Sequence, residues 1–234
     1  MFHLIKYELR GKLLTILGVC LTVIIGNLFL MTKVDSWQIG APVLSGFLGG
    51  GALVVICIAS LTLMSDYLYD DQGYLLFTLP QSGVSIMASR LITAVIQISI
   101  VMIVSMSMFC LLDQGRLLNA ILQQVEIHEL LYFILMHLWT IVSTLTFMYF
   151  CMVVGRIALK GKKVGKVGSF IIFFLLSIAR TGLSVASANL FPQMVQIHSV
   201  TTMTMNVGSM IFDIVTFGIL FMATSYLLEH KVDL

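Results

Sequence analysis

Six apolar runs alternate with short polar stretches along the chain, and this alternation sets its organisation. Each run is long enough for a helix to cross a hydrocarbon core of about 30 Å at 1.5 Å per residue. The runs are continuous and lack the strict alternation of barrel strands, so helices satisfy the backbone in lipid. The predicted fold class is an all-α membrane protein with six transmembrane helices. These helices are expected at about 13–31, 42–64, 91–112, 130–154, 167–188 and 207–228.

The segment before the first run has a polar and an apolar side. Ile5 and Leu9 fall near one helical face, whereas Lys6 and Arg10 mark the other. This pattern predicts an amphipathic elbow helix at the membrane interface, over residues 1–12. No clear small-residue cleavage site follows, so a cleavable signal peptide is not expected.

Lysine and arginine set the expected orientation, because basic residues favour the cytoplasmic side of a membrane. With the N-terminus inside, ten of the 13 basic residues fall in inner segments, two in outer loops and one, Arg180, within a span. Both termini are therefore predicted to be cytoplasmic. The outer two are Lys33 and Arg116.

Composition agrees with this class of protein. Hydrophobic residues make up 59% of the 234 residues and charged residues 10%, against about 25% charge in soluble domains. No soluble domain fits between the spans, so residues 1–234 are predicted to form a single transmembrane domain. The net charge of +2 gives no reason to expect nucleic acid as a partner, whereas lipid is an obligatory one.

No enzyme or metal site is predicted, and no catalytic residue is assigned. All four cysteines lie inside apolar runs, as small buried hydrophobes do. The outer segment after Pro192 combines methionines with His198, which can hold copper(I). We expect instead an amphipathic loop or a re-entrant helix that packs its methionines. The glycine-lysine string around Gly161 lacks the spacing and the Ser or Thr of a Walker A motif, so ATP is not expected to bind this chain.

The 65–90 stretch is the only long polar interruption with a pattern of its own. Its acidic start leads to a turn at Gly73 and an apolar run from Tyr74 to Leu79. Pro80 ends that run, and a small amphipathic segment then leads to Arg90.

This order of elements resembles the first cytoplasmic loop of ABC-transporter permeases of the type-2 exporter class. In that family a polar segment with a glycine precedes a leucine-rich stretch, a Leu-Pro-x-Ser sequence and a short helix that ends in a basic residue. Here Leu79-Pro80-Gln81-Ser82 matches the Leu-Pro-x-Ser sequence. The elbow segment, the six spans and the short polar tail also agree with the family. One departure is Gly83, where many relatives carry a basic residue.

The resemblance implies that the 65–90 loop holds a coupling helix that docks into a separate ATPase subunit. Pro80 suits the start of a short helix, and Ser82 can cap one. The residues expected to couple the two subunits are Tyr74, Leu76, Leu79, Pro80, Ser82, Ile86 and Arg90.

The family also implies the partners and the role. We expect two copies of an ABC ATPase that bind ATP and magnesium, and a second permease subunit in a homodimer or heterodimer. The implied function is export of a hydrophobic or amphipathic substrate, such as an antimicrobial peptide, toxin or drug. The implied location is a bacterial plasma membrane, and bacteriocin-immunity permeases are similar too.

Two ionisable residues lie within predicted spans. Arg180 and Asp213 are each roughly 20 Å from the inner side of the core at 1.5 Å per residue. An unpaired charge at that depth costs several kcal/mol, so we predict that the two residues pair or share a wet cavity. This pair leaves alternatives open, namely a secondary transporter that uses it for ion coupling or an intramembrane enzyme.

Overall fold

The computed structural model describes residues 2–34, 36–37, 40–69, 82–113, 127–158, 165–191, 193–197 and 203–230. Within that part of the chain the fold is six long helices and one short β-hairpin. The elements in chain order are α1 (Phe2–Met31), α2 (Gly40–Tyr69), α3 (Gly83–Leu112), α4 (Ile127–Ala158), α5 (Gly165–Leu190), β1 (Met194–Ile197), β2 (Met203–Asn206) and α6 (Val207–His230).

All six helices are long and apolar enough to cross a membrane, which confirms the six predicted transmembrane helices. The chain is therefore a multi-pass membrane protein. It divides into two compact units, and α2 and α3 each contribute to both of them. The first unit comprises Met1–Thr62 and Ile92–Leu130, and the second Leu63–Leu91 and Leu131–Leu234.

In the first unit, side-chain hydrogen bonds join α1 to α2 and α3 to α1, where the Thr93 hydroxyl donates to the Glu8 carboxylate at 3.2 Å. Near one end of the α1–α2 pair, the Lys12 ammonium donates a hydrogen bond to the Thr62 hydroxyl at 3.1 Å. Further along the same pair, the Ser45 hydroxyl donates to the Asn27 side-chain oxygen, and both residues are buried. The two helices therefore run antiparallel. Hydrogen bonds of this kind hold helices together in lipid, where the hydrophobic effect between them is absent.

The second unit contains α4 from Leu131 onward, α5 and α6, together with the end of α2 and the start of α3. Phe147 and Phe173 pack α4 on α5, with ring centroids 5.5 Å apart. Two turns further towards the start of α4, Trp139 packs on Phe217 of α6 at 5.1 Å. Among the six spans, α5 is the least buried.

The helix boundaries differ from the prediction at the start of α1. This helix continues without a break from Phe2 to Met31, so the structure does not confirm a separate elbow helix over residues 1–12. The amphipathic pattern itself is present, because Lys6 and Arg10 are exposed. No proline interrupts the segment, and Lys12 finds a hydrogen-bond acceptor on α2. The segment with the basic residues and the first span can therefore form one continuous helix.

The start of α3 differs in the same way. The amphipathic segment expected from Ser82 to Arg90 is not a separate short helix but forms the first turns of the third span. Gly83 is therefore the first residue of a continuous helix of 30 residues.

The connection between α5 and α6 is a β-hairpin, not the loop or re-entrant helix predicted for it. β1 and β2 pair antiparallel, with Met194 opposite Asn206 and Ile197 opposite Met203. The Asn206 side-chain oxygen accepts hydrogen bonds from the backbone N–H groups of Gly208 at 2.8 Å and Ser209 at 3.3 Å. Asn206 is thus the N-cap of α6.

The same side chain also serves the end of α5. The Asn206 amide nitrogen donates to the backbone carbonyl of Ala188 at 3.2 Å. Carbonyl groups in the last turn of a helix have no partner within that helix. One asparagine therefore joins the end of α5 to the beginning of α6.

Candidate functional site

The first candidate site is the start of α3, where the resemblance to exporter permeases implies coupling to an ATPase. Tyr74, Leu76, Leu79 and Pro80 lie outside the described residues, so their positions stay predictions. The described part begins at Ser82, whose side-chain hydroxyl and backbone carbonyl both accept from the N–H of Ser85. Ser82 therefore caps α3, as its position before the helix predicts.

Gly83 brings α3 into direct contact with the end of α6. A Cβ atom at this position would overlap the backbone carbonyl oxygen of Ser225. The Gly83 N–H also donates to the Glu229 carboxylate at 3.3 Å. A carboxylate at the N-terminus of a helix is stabilised by the helix dipole as well as by the hydrogen bond.

This contact gives a physical reason for the glycine at position 83, where the loop pattern that the sequence resembles often has a basic residue. A basic side chain at that position would meet the backbone of α6. Glycine permits the two helices to approach closely, which is its common use between helices in membranes.

Arg90 ties the start of α3 to α2. The residue is 4% exposed, and its guanidinium donates to the backbone carbonyl of Leu63. Ile86, one turn earlier, is also 4% exposed. Both side chains are buried, so neither is exposed to a docked subunit, and Arg90 instead joins α3 to α2.

We call these contacts the α3 clamp. The clamp comprises Ser82, Gly83 and Arg90 on α3, Leu63 on α2, and Ser225 and Glu229 on α6.

The second candidate site is the intramembrane ion pair between α5 and α6. The structure brings Arg180 and Asp213 together, with Nη2 2.9 Å from Oδ1. The Arg180 guanidinium also lies over the ring of Phe147, 5.4 Å from its centroid. The side chains are 26% and 42% exposed, respectively.

Residues around this pair extend the site along one face of α4. Trp139, Ser143 and Phe147 are spaced by four residues, so they share a face of the helix. Trp139 contacts Phe217, which lies one turn from Asp213 on α6. The Ser143 hydroxyl is buried and, among the described residues, has no hydrogen-bond partner.

Within the described chain, no group of three or more His, Cys, Asp and Glu residues could hold a metal ion. The methionines at 194, 203 and 205 belong to the hairpin strands. Glu229, Ser143 and Asn206 are candidate-site and junction residues that were not predicted from the sequence. Asn206 alone had a usable signal, since it stands directly before an apolar run where an N-cap is favoured.

Comparisons of the chain with protein-family models, with curated proteins and with solved structures found no match to any of them. The resemblance to exporter permeases therefore depends on the residues of the chain itself.

Proposed function

We propose that this protein is the transmembrane subunit of an ATP-driven ABC exporter. It moves a hydrophobic or amphipathic substrate, such as an antimicrobial peptide, toxin or drug, out of a bacterial cell. The observation that carries the proposal is the α3 clamp, because it fixes the helix that follows the Leu79-Pro80-Gln81-Ser82 sequence to two other helices.

The clamp explains how a docked subunit would move the bundle. A push on residues 70–81 arrives at Ser82 and Gly83, which begin a continuous helix. The Gly83–Glu229 contact passes the displacement to α6, and the Arg90–Leu63 contact passes it to α2. One short loop therefore acts on three helices at once.

ATP hydrolysis belongs to a separate chain in this proposal. The sequence contains no Walker A motif, so ATP and magnesium bind the partner ATPase. Two ATPase subunits dock on two permeases, either a homodimer or a pair with a related chain. Closure of the ATPase dimer on ATP supplies the push on the loop.

Co-purification tests the proposal. The protein, with an affinity tag at its N-terminus, is isolated from its own membranes in mild detergent, and the preparation is assayed for ATP hydrolysis and for Walker-containing proteins by mass spectrometry. We expect an ATPase in the wild-type preparation and its loss when Leu79 and Pro80 are both replaced by alanine.

A matched control tests whether the loss of the ATPase is specific to the 65–90 loop. Replacing Lys162 and Lys163 by alanine changes another loop that is expected on the same side of the membrane, and it is expected to retain the ATPase. A stable wild-type preparation without an ATPase overturns the exporter proposal. The proposal is also overturned if the variant with Leu79 and Pro80 replaced retains the ATPase in full.

The partly exposed Arg180–Asp213 pair favours a second candidate, a secondary transporter that couples an ion to its substrate. In that case substrate movement in sealed vesicles follows an ion gradient and continues without ATP. An intramembrane enzyme would need a nucleophile and a base beside the pair, and the further contact that the structure describes for Arg180 is the ring of Phe147.

A further inference from the structure

The Arg180–Asp213 pair has hydrogen-bonding capacity that the described protein does not use. The contact joins one nitrogen of the guanidinium to one oxygen of the carboxylate. The second oxygen of Asp213 accepts no described hydrogen bond, and its side chain is 42% exposed. Lipid tails provide neither a hydrogen-bond donor nor a positive charge for a carboxylate, so a polar or charged ligand group is favoured at this position.

Arg180 is the more enclosed member of the pair. Its guanidinium has the Phe147 ring against it and Asp213 at its edge, and its side chain is 26% exposed. An incoming group therefore meets the carboxylate more readily than the guanidinium. This difference favours a ligand with a positive charge over one with a negative charge.

Aromatic rings beside the carboxylate favour the same kind of ligand. Phe217 lies one turn from Asp213 and packs on Trp139, with their planes tilted by 59°. The faces of aromatic rings attract cations, tryptophan most strongly, and the rings also accept apolar groups. The buried Ser143 hydroxyl, on the face of α4 between Trp139 and Phe147, offers a further hydrogen bond.

We propose that these residues form a binding site for an amphipathic cation. The site comprises Trp139, Ser143, Phe147, Arg180, Asp213 and Phe217. Asp213 is the counter-ion for the positive group, the rings hold the apolar part, and Arg180 competes with the ligand for the carboxylate. As a substrate site it rests on the proposed export function, but binding itself requires neither ATP nor an ATPase.

Trp139 allows binding to be measured directly. The chain has two tryptophans, so Trp37→Phe leaves Trp139 as the only one. The variant is reconstituted in lipid nanodiscs and titrated with tetraphenylphosphonium, a lipophilic cation, and separately with tetraphenylborate, an anion of nearly the same size and shape. We expect a saturable change in Trp139 fluorescence with the cation and a weaker response, or none, with the anion.

Substitutions of the charge pair should act in opposite directions. Asp213→Asn removes the counter-ion and is expected to weaken cation binding by about tenfold. Arg180→Gln removes the competing cation and is expected to strengthen it severalfold. Glu129→Gln, which removes a carboxylate at the start of α4, is expected to leave binding unchanged. Thermal unfolding of each variant identifies any that fails to fold.

The double variant Arg180→Gln/Asp213→Asn has no charge at either position. It is expected to bind the cation no better than Asp213→Asn alone, because the counter-ion is absent from both variants. If Arg180→Gln misfolds, the double variant and Asp213→Asn still test the counter-ion. Equal cation binding by wild type and Asp213→Asn overturns the proposal. Stronger binding of the anion, lost in Arg180→Gln, overturns it as well and assigns an anion site.

The two proposals fail separately. If the protein binds the cation through Asp213 but no ATPase co-purifies with it, the binding site stands and the exporter proposal fails. If an ATPase co-purifies through the 65–90 loop but the cation does not bind, the exporter proposal stands and the binding site fails.

Discussion

At the scale of single residues, Gly83 is the position whose replacement the structure predicts most directly. Gly83→Ala places a methyl group against the Ser225 backbone oxygen and is expected to destabilise the protein by about 1–3 kcal/mol, the usual cost of overpacking. Thermal unfolding in detergent measures the change.

Gly218→Ala on α6 is the matched control. No atom lies within 4 Å of the position that its Cβ would take. Alanine is favoured over glycine inside a helix by about 0.5–1 kcal/mol, so this variant should be as stable as wild type or more so. Equal unfolding temperatures for Gly83→Ala and wild type would show that α3 and α6 do not pack as described.

The chemistry of the candidate sites was only partly predictable from single residues. Arg180 and Asp213 stand out in the sequence because charges are costly in a membrane, and their similar depth predicts proximity. Glu229 and Ser143 have no such signal. Glu229 lies in a polar tail and Ser143 in an apolar run, and only the packing of distant helices brings each of them to a site.

At the scale of elements, Asn206 is expected to stabilise the junction between α5 and α6. Asn206→Ala removes the N-cap of α6 and the hydrogen bond to Ala188 together. A lost N-cap alone costs about 1 kcal/mol. We expect a lower unfolding temperature and faster hydrogen exchange at the amides of Gly208 and Ser209.

Asn206→Asp separates the two contributions. A carboxylate still accepts from the first turn of α6, but it cannot donate to the Ala188 carbonyl. The stability of the Asn206→Asp variant should therefore lie between those of wild type and Asn206→Ala. If Asn206→Asp is as unstable as Asn206→Ala, the cap contributes nothing and the assignment is wrong.

The elements were predictable where hydrophobic length decides them, and less so where local packing does. The six spans follow from apolar runs that must satisfy their backbone as helices. The unbroken starts of α1 and α3 do not follow from the apolar runs. A polar segment can lie at an interface or continue a span, depending on which groups its side chains contact. Lys12 meets Thr62 and Arg90 meets Leu63. The hairpin was missed because four-residue strands carry too few positions for a period-2 pattern.

At the scale of the whole molecule, the expected orientation has its own test. In a variant in which all four cysteines are replaced, a single cysteine is introduced at position 116 or at position 162. A membrane-impermeant maleimide is expected to label Arg116→Cys in intact cells and Lys162→Cys only after permeabilisation. The physical reason is the excess of basic residues on the predicted cytoplasmic side. The reverse labelling pattern would place both termini outside and remove the 65–90 loop from the reach of a cytoplasmic ATPase.

The contact between Gly83 and Glu229 also determines where a fusion protein can be attached. Glu229 lies one residue before His230, where α6 ends. A fluorescent protein inserted directly after His230 would therefore begin close to the first turn of α3, beside the loop on which an ATPase is expected to dock. Such an insertion is expected to obstruct assembly with the ATPase, so inactivity of a protein labelled at this position would reflect the label and not the sequence.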